Sequence, residues 1–399
     1  MVTEEQASGA GSRVRQDARA LLASKPTTYN ASVGYLRPRR DVIARRKPSF
    51  DARAGQRKPR KSLFVAVGAL ALSGLALFGL KHDGTDDPPV APPPVVPRDG
   101  QPYGAFSPDS WWNTPLPANV PLDPAGSQIL DYMRTAAGSG QGCLMFAGAG
   151  DGKWGQPIYW AKPSDPSYDV QGVATSRPSE LDHLRIPVRA EPASNNDGTM
   201  SIYDLGEGYV TALTDAAYDP ASDTWTASGA TVTYLHSNGL NVATGRSDEP
   251  RNVGTHRGNN GATMAVSWDM VQAGAIRHVL KVALGPEVAD RYVFPMVGSD
   301  GHYTGTDAGV PPQGLRLRIK PSIDLEALHL NPESLIIALA LQQYGFYVGD
   351  SGGTTALKLE NTVAEGRGQL WDLAANDLCG LPFTAAYWDV VQEGYDPTR

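Results

Sequence analysis

Leu63 to Leu80 reads LFVAVGALALSGLALFGL, eighteen residues without a charge and with Ser73 as the only clearly polar side chain. As a helix at about 1.5 Å per residue the segment is about 27 Å long, close to a bilayer's hydrocarbon core of about 30 Å. A buried helix of a soluble domain needs neighbours to pack against, and here the flanks are a basic tail and a proline-rich run. A cleaved signal peptide has a short basic start and small residues at its exit. Here 62 residues precede the apolar run, and the exit reads Phe78-Gly79-Leu80-Lys81. The segment 63–80 is therefore expected to be an uncleaved transmembrane anchor in contact with the lipid bilayer.

Charge sets its orientation. Residues 1–62 carry 15 basic and 5 acidic side chains, a net of +10, which leaves 20 basic and 37 acidic residues for 81–399, a net of −17. Eight Lys or Arg lie within the twenty residues before the anchor, whereas Asp83, Asp86 and Asp87 follow it. The positive-inside rule places the N-terminus in the cytoplasm and the acidic part outside, at the cell membrane. The tail 1–62 has few aromatics and no sustained apolar period, which reads as disorder. It serves either as a topology signal or as a docking segment for a cytoplasmic protein partner. Its basic cluster suits anionic lipid headgroups, and no nucleic acid partner is expected. Residues 81–100 contain DPPVAPPPVVP, a proline-rich stalk of about 30 Å in polyproline II geometry.

Residues 101–399 read as one β-rich domain. Short alternating runs recur between Gly, Pro, Asn and Asp clusters: Leu184–Val188, Thr199–Tyr203, Tyr209–Leu213, Thr224–Ala227, Thr231–Leu235, Val279–Ala283 and Leu315–Ile319. That spacing predicts a sandwich or barrel. Helices are expected at Gln128–Ala137, at Pro332–Tyr344 behind Asn331, and over Trp371–Leu378. The two cysteines, Cys143 and Cys379, are far apart in sequence and lack metal-ligand spacing. A disulfide, permitted outside the cytoplasm, and a pair of buried thiols both remain open. No metal or cofactor is expected.

Five stretches carry a resemblance: RIPVRAEPASNNDGTMSIYD (185–204), TWTASGATVTYLHSNGL (224–240), WDMVQAGAIRHVL (268–280), PPQGLRLRIK (311–320) and ALQQYGFYVGDSGG (340–353). They are similar to a group of largely uncharacterised secreted or surface actinobacterial proteins with a jelly-roll-like β-sandwich domain. The resemblance implies a jelly-roll-like ectodomain at the cell surface, and none of the five stretches is a catalytic signature. Handling of carbohydrate follows only by analogy with other jelly rolls.

The candidate catalytic residues are His278, Asp269 and Asp350. Asp269 and His278 flank Gly274 in what reads as strand–turn–strand, and Asp350 follows an aromatic run. A histidine beside carboxylates suits proton transfer near neutral pH. Equally, His278 in an apolar strand suits a half-buried structural histidine, and Asp350-Ser-Gly-Gly suits a turn. Arg316 and Arg318 alternate with Leu315, Leu317 and Ile319, so both face one side and could hold an acidic substrate. Trp225, with Trp111, Trp112, Trp154, Tyr159 and Trp160, could stack on sugar rings; for Trp112 a packing role is favoured. Asn195-Asn196-Asp197-Gly198 reads as a hairpin turn rather than a calcium loop. No GxSxG elbow and no HExxH helix is expected, which argues against a lipase-type esterase and a zinc protease.

Two functions fit these readings. One is a surface protein acting on wall or extracellular polysaccharide as a hydrolase or lyase. The other is a non-catalytic bitopic envelope adaptor that binds cell-wall glycan outside and docks a cytoplasmic assembly through the tail.

Overall fold

The computed structural model describes residues 103–136, 142–195, 197–253 and 257–399, all within the unit Asp87–Arg399. The tail 1–62, the anchor 63–80 and the stalk 81–100 lie outside the described residues. Among the described residues, no helix is long and apolar enough to cross a membrane.

The domain is mainly β with few helices. Helix α1 (Gly126–Thr135) precedes β1 (Met145–Ala147), β2 (Ile158–Trp160), β3 (Ser167–Tyr168), β4 (Leu184–Arg185), β5 (Met200–Asp204) and β6 (Tyr209–Thr214). Next come β7 (Ala217–Asp219), β8 (Thr224–Thr226), β9 (Gly229–Tyr234), helix α2 (Trp268–Gln272), β10 (Leu280–Leu284) and β11 (Arg316–Ile319). The chain closes with α3 (Pro332–Gln343), β12 (Phe346–Ser351), β13 (Ala356–Lys358) and β14 (Trp388–Val390).

Two sheets organise the core. The larger has the order β1-β13-β10-β12-β11-β14 and the smaller β2-β5-β6-β9. Both are mixed, with β1/β13, β10/β12 and β2/β5 parallel and the other pairs antiparallel. The period of two assigns each face. Leu280, Val282 and Leu284 of β10, Leu317 and Ile319 of β11, Phe346 and Val348 of β12 and Leu357 of β13 join one core with Ile129, Leu130 and Met133 of α1 and Ile337, Ala338 and Leu341 of α3. A second, aromatic core joins the two sheets: Tyr347 from the larger, Ile158, Tyr203 and Val210 from the smaller, with Trp111 and Trp112 among them. A third core lies on the far side of the smaller sheet, where Met200, Ile202, Leu213 and Val232 meet Leu184 of β4 and Trp225 of β8.

Local rules account for the helices. Asn331 caps α3 by accepting from the Glu333 N–H at 2.9 Å, and Pro332 occupies the first turn. Gly345 then turns the chain into β12 at φ 73°, where any Cβ would meet the Leu317 carbonyl at 2.2 Å. Around Gly274 the expected strand–turn–strand is not what forms. Residues 268–272 form α2, which is closed by Ala273 N–H bonding to Asp269 O, and Gly274 at φ 81° reverses the chain. The helix expected over Trp371–Leu378 is reduced to a 3-10 turn at Asp377–Gly380.

The cysteines are bridged, Cys143 to Cys379, with Cα atoms 5.0 Å apart.

Candidate functional site

A cleft of about 680 Å³ is lined by β2, β5, α2 and the loop after β13. Alternation along β2 sends Tyr159 into the outer core and leaves Ile158 and Trp160 on the face toward the larger sheet. Trp160 is registered with Tyr203 of β5, and the two rings stack with centroids 4.5 Å apart and planes 25° apart. Tyr103 meets both edge-on, at 5.6 and 5.9 Å. Tyr203 is buried, whereas Trp160 is 37% exposed, so the stack holds an indole rigidly at the cleft surface.

The rest of the lining is charged. Leu357 and Leu359 enter the helix-covered core, so Lys358 and Glu360 point the other way. The Arg367 guanidinium gathers three carboxyl groups: Nη1 donates to Glu360 Oε1 at 2.6 Å and to Glu365 Oε2 at 3.2 Å, and Nη2 to Asp269 Oδ1 at 3.3 Å. Backbone N–H groups of Trp268 and Ile158 donate to the remaining oxygens, Glu360 Oε2 at 2.7 Å and Glu365 Oε1 at 2.8 Å. The Glu360 and Glu365 side chains are 3% and 4% exposed. Burial, and then the neighbouring Glu360 charge, push the Glu365 carboxyl up to about 9, so it holds a proton at neutral pH. A carboxyl that keeps its proton at neutral pH beside a second carboxyl is the raw material of general acid–base chemistry.

Asp269 is thus at the cleft, on the first turn of α2. Asp350 lines a second cleft, of about 640 Å³, where its Oδ2 accepts from Lys281 Nζ at 2.8 Å. Burial opposes its charge, but Lys281 outweighs burial and holds the carboxyl well below the usual carboxylate range. His278 joins neither. It is buried, its Nδ1 lies 2.8 Å from the Val279 carbonyl, its Nε2 has no partner among the described residues, and burial pushes its pKa down to about 4. A neutral imidazole sealed from both clefts cannot exchange protons with a substrate, so the three candidates do not form one site.

The alternation assigned to Arg316 and Arg318 holds, but their shared face is interior. Residues 110–120 lie across it. Arg318 donates to the Pro117 and Ala118 carbonyls at 2.8 and 2.9 Å and to Asp389 at 3.2 Å. Arg316 donates to the Tyr344 and Thr114 carbonyls at 2.8 and 3.2 Å, with its guanidinium 4.7 Å from the Trp111 ring centroid. Both fasten the start of the domain to its sheet instead of gripping a substrate. Arg318→Met should cost about 3 kcal/mol in chemical denaturation, because it strands the buried Asp389 with only the more distant Lys320. Trp225 is likewise buried, packed on Tyr218 at 5.3 Å, and offers no face to a sugar. Trp112 packs as expected.

Asn195 forms an Asx turn, accepting from the Asp197 and Gly198 N–H groups, while Asp204 grips Arg185 at 2.6 and 2.8 Å. Among the described residues no group of His, Cys, Asp and Glu could hold a metal ion. Against the expectation of no GxSxG, Gly349-Asp350-Ser351-Gly352-Gly353 has that lettering, but it is not a nucleophile elbow. Ser351 ends β12 ahead of another strand, and its hydroxyl donates to Asp300 at 3.0 Å, not to an imidazole. Glu360, Glu365, Arg367, Lys281 and Lys358 were missed from sequence. The signal available was Ala356-Leu-Lys-Leu-Glu360, where alternation puts two charges on one face.

Comparison of the chain with protein-family models, with curated proteins and with solved structures finds no match.

Proposed function

We propose that this chain is a membrane-anchored cell-surface protein acting on wall or extracellular polysaccharide, with the cleft beside β2 as its site. In this reading 63–80 is the anchor, the basic tail 1–62 is cytoplasmic and the acidic domain stands outside. The observation that carries it is the Trp160–Tyr203 stack beside the Asp269–Arg367–Glu360–Glu365 cluster. An aromatic face takes the apolar side of a sugar ring, and neighbouring carboxylate and guanidinium groups take its hydroxyls. Hydrolysis suits the cleft better than elimination, because Glu365 stores a proton for a leaving oxygen. The jelly-roll-like sandwich belongs to the same reading. Two sheets joined by an aromatic layer support a sandwich, while the three parallel pairings depart from an antiparallel jelly roll.

One observation favours the adaptor as a second reading: all four oxygens of Glu360 and Glu365 already hold protein donors. In that reading the cleft binds wall glycan without cleaving it, and the tail docks a cytoplasmic protein.

The test uses the full chain with purified wall polysaccharide, scored for sedimentation and for release of reducing ends. Trp160→Ala should weaken binding about tenfold, the weight of one aromatic stacking contact. Binding unchanged in Trp160→Ala would remove the site. Glu365→Gln should retain binding and lower reducing-end release by about a hundredfold or more if the carboxyl is the acid. Binding without release in the parent chain selects the adaptor.

A further inference from the structure

The second cleft is independent of the site just described, although Ala262 and Thr263 line both. The segment 259–263 separates them, fixed by Tyr203 Oη donating to the Ala262 carbonyl at 3.2 Å and Tyr347 Oη to Asn259 Oδ1 at 2.6 Å. Three cationic side chains and three carboxylates line this second cleft. Lys281 pairs with Asp350 at 2.8 Å, and Arg257 Nη2 with Asp300 at 3.1 Å. Lys358 is different. Its ammonium makes no hydrogen bond or ion pair among the described residues, although Asp350 and Asp197 stand at longer range. The side chain is half-buried at the cleft, where desolvation first and the Lys281 charge second disfavour its protonated form.

Other polar groups here are also unsatisfied. Arg257 Nε and Thr199 Oγ1, on residues of the same lining, lack hydrogen-bond partners among the described residues, although both atoms are closed to solvent. A desolvated donor left unpaired is costly, so the Lys358 ammonium, without an acceptor at the cleft, calls for one from outside. The volume of about 640 Å³ suits a ligand of one or two sugar rings. Thr231 and Asp197 supply neutral and acidic groups around it, matched to hydroxyls.

We infer that the cleft formed by β5, β6, β9 and β13 binds the carboxylate of an acidic sugar, with Lys358 as the charge partner. This site does not depend on the Trp160 cleft being a glycan site, and each is tested by its own variant.

The probe is D-glucuronate, titrated calorimetrically into the full chain, with D-glucose and acetate as controls for the ring without the charge and the charge without the ring. Glucuronate should bind more tightly than either. Lys358→Met should weaken it about tenfold, the weight of one charge-assisted hydrogen bond, and Lys358→Arg should restore most of the loss. In a Trp160→Ala background, which removes sugar stacking in the first cleft, the dependence on Lys358 should persist. A measurement on the parent chain guards against a variant that fails to fold: glucuronate near saturation should slow amine acylation of Lys358, read by peptide mass spectrometry, and leave exposed Lys153 unaffected. The inference is overturned if glucose or acetate binds as tightly as glucuronate, if Lys358→Met binds as the parent does, or if Lys358 is unprotected.

Discussion

Glu365→Gln should make folding stability markedly less sensitive to alkali. Its advantage over the parent chain is expected to grow by up to about 1.4 kcal/mol for each pH unit between about 6.5 and 9. In the unfolded chain this carboxyl releases its proton near its ordinary value of 4.5, whereas the folded chain keeps the proton up to about 9. Above 4.5 the folded state therefore binds one proton more than the unfolded state, and stability falls as pH rises. The contribution is whole below 4.5 and is lost as pH rises through 9.

His278 works in the opposite sense. Burial moves it from 6.5 down to about 4, so between those values the unfolded chain binds the extra proton and stability rises with pH. In the parent chain the two slopes offset each other between 4.5 and 6.5, but His278 is present in both chains and drops out of the difference between their profiles. Lys358 is lowered in both chains, so it drops out of the difference between their profiles. Glutamine copies the protonated acid in shape and cannot ionise, which removes the charge, although its NH2 carries two donors where the acid carries one. Denaturant titrations at about pH 6.5, 7.5 and 8.5 supply the two profiles. Parallel profiles would mean that Glu365 ionises without penalty in the folded domain, and the hydrolytic role would lose its acid.

The fold was legible where one period ruled a segment. Seven alternating runs each overlap a strand, and Asn331-Pro332 marked the start of α3, because pleat and capping act locally. Around Gly274 the local signal misled. Trp268-Asp-Met-Val-Gln is too short for periodicity to separate helix from strand, and packing on α3 and the larger sheet decided it. The sites were legible only as faces. Alternation correctly grouped Arg316 with Arg318, yet no local pattern could say that residues 110–120 would cover that face. Asp269 and Glu360 are 91 positions apart and meet only through Arg367. Trp160 drew notice as an aromatic outside an apolar run. Its partner Tyr203 lies in another strand, and the parallel β2/β5 pairing that joins them leaves no mark in either segment.

Removing the Cys143–Cys379 bond should have the largest effect on stability. The bond closes a span of 236 residues, for which chain entropy in the unfolded state gives about 5 kcal/mol. Domains are stable by about 5–15 kcal/mol, so a third or more of the total is at stake. The location adds to this. β1, at the edge of the larger sheet, pairs only with β13, and Cys143 ties the chain just ahead of it to the turn at Asp377–Gly380. Met145 sits against both sulfurs, at 3.9 and 3.6 Å. The double variant Cys143→Ser, Cys379→Ser is expected to melt about 10 °C below the parent chain. Either single variant should lose as much as the double, since the bond needs both sulfurs. Calorimetry with and without reductant supplies the check, because reductant should bring the parent to the variant's midpoint and leave the variant unmoved. A shift under about 2 °C would place the bond's worth in local packing around β1. Hydrogen exchange would then show protection lost at residues 145–147 alone. A full shift would show the bond holding the start and end of the domain together, as an oxidising location outside the cytoplasm would allow.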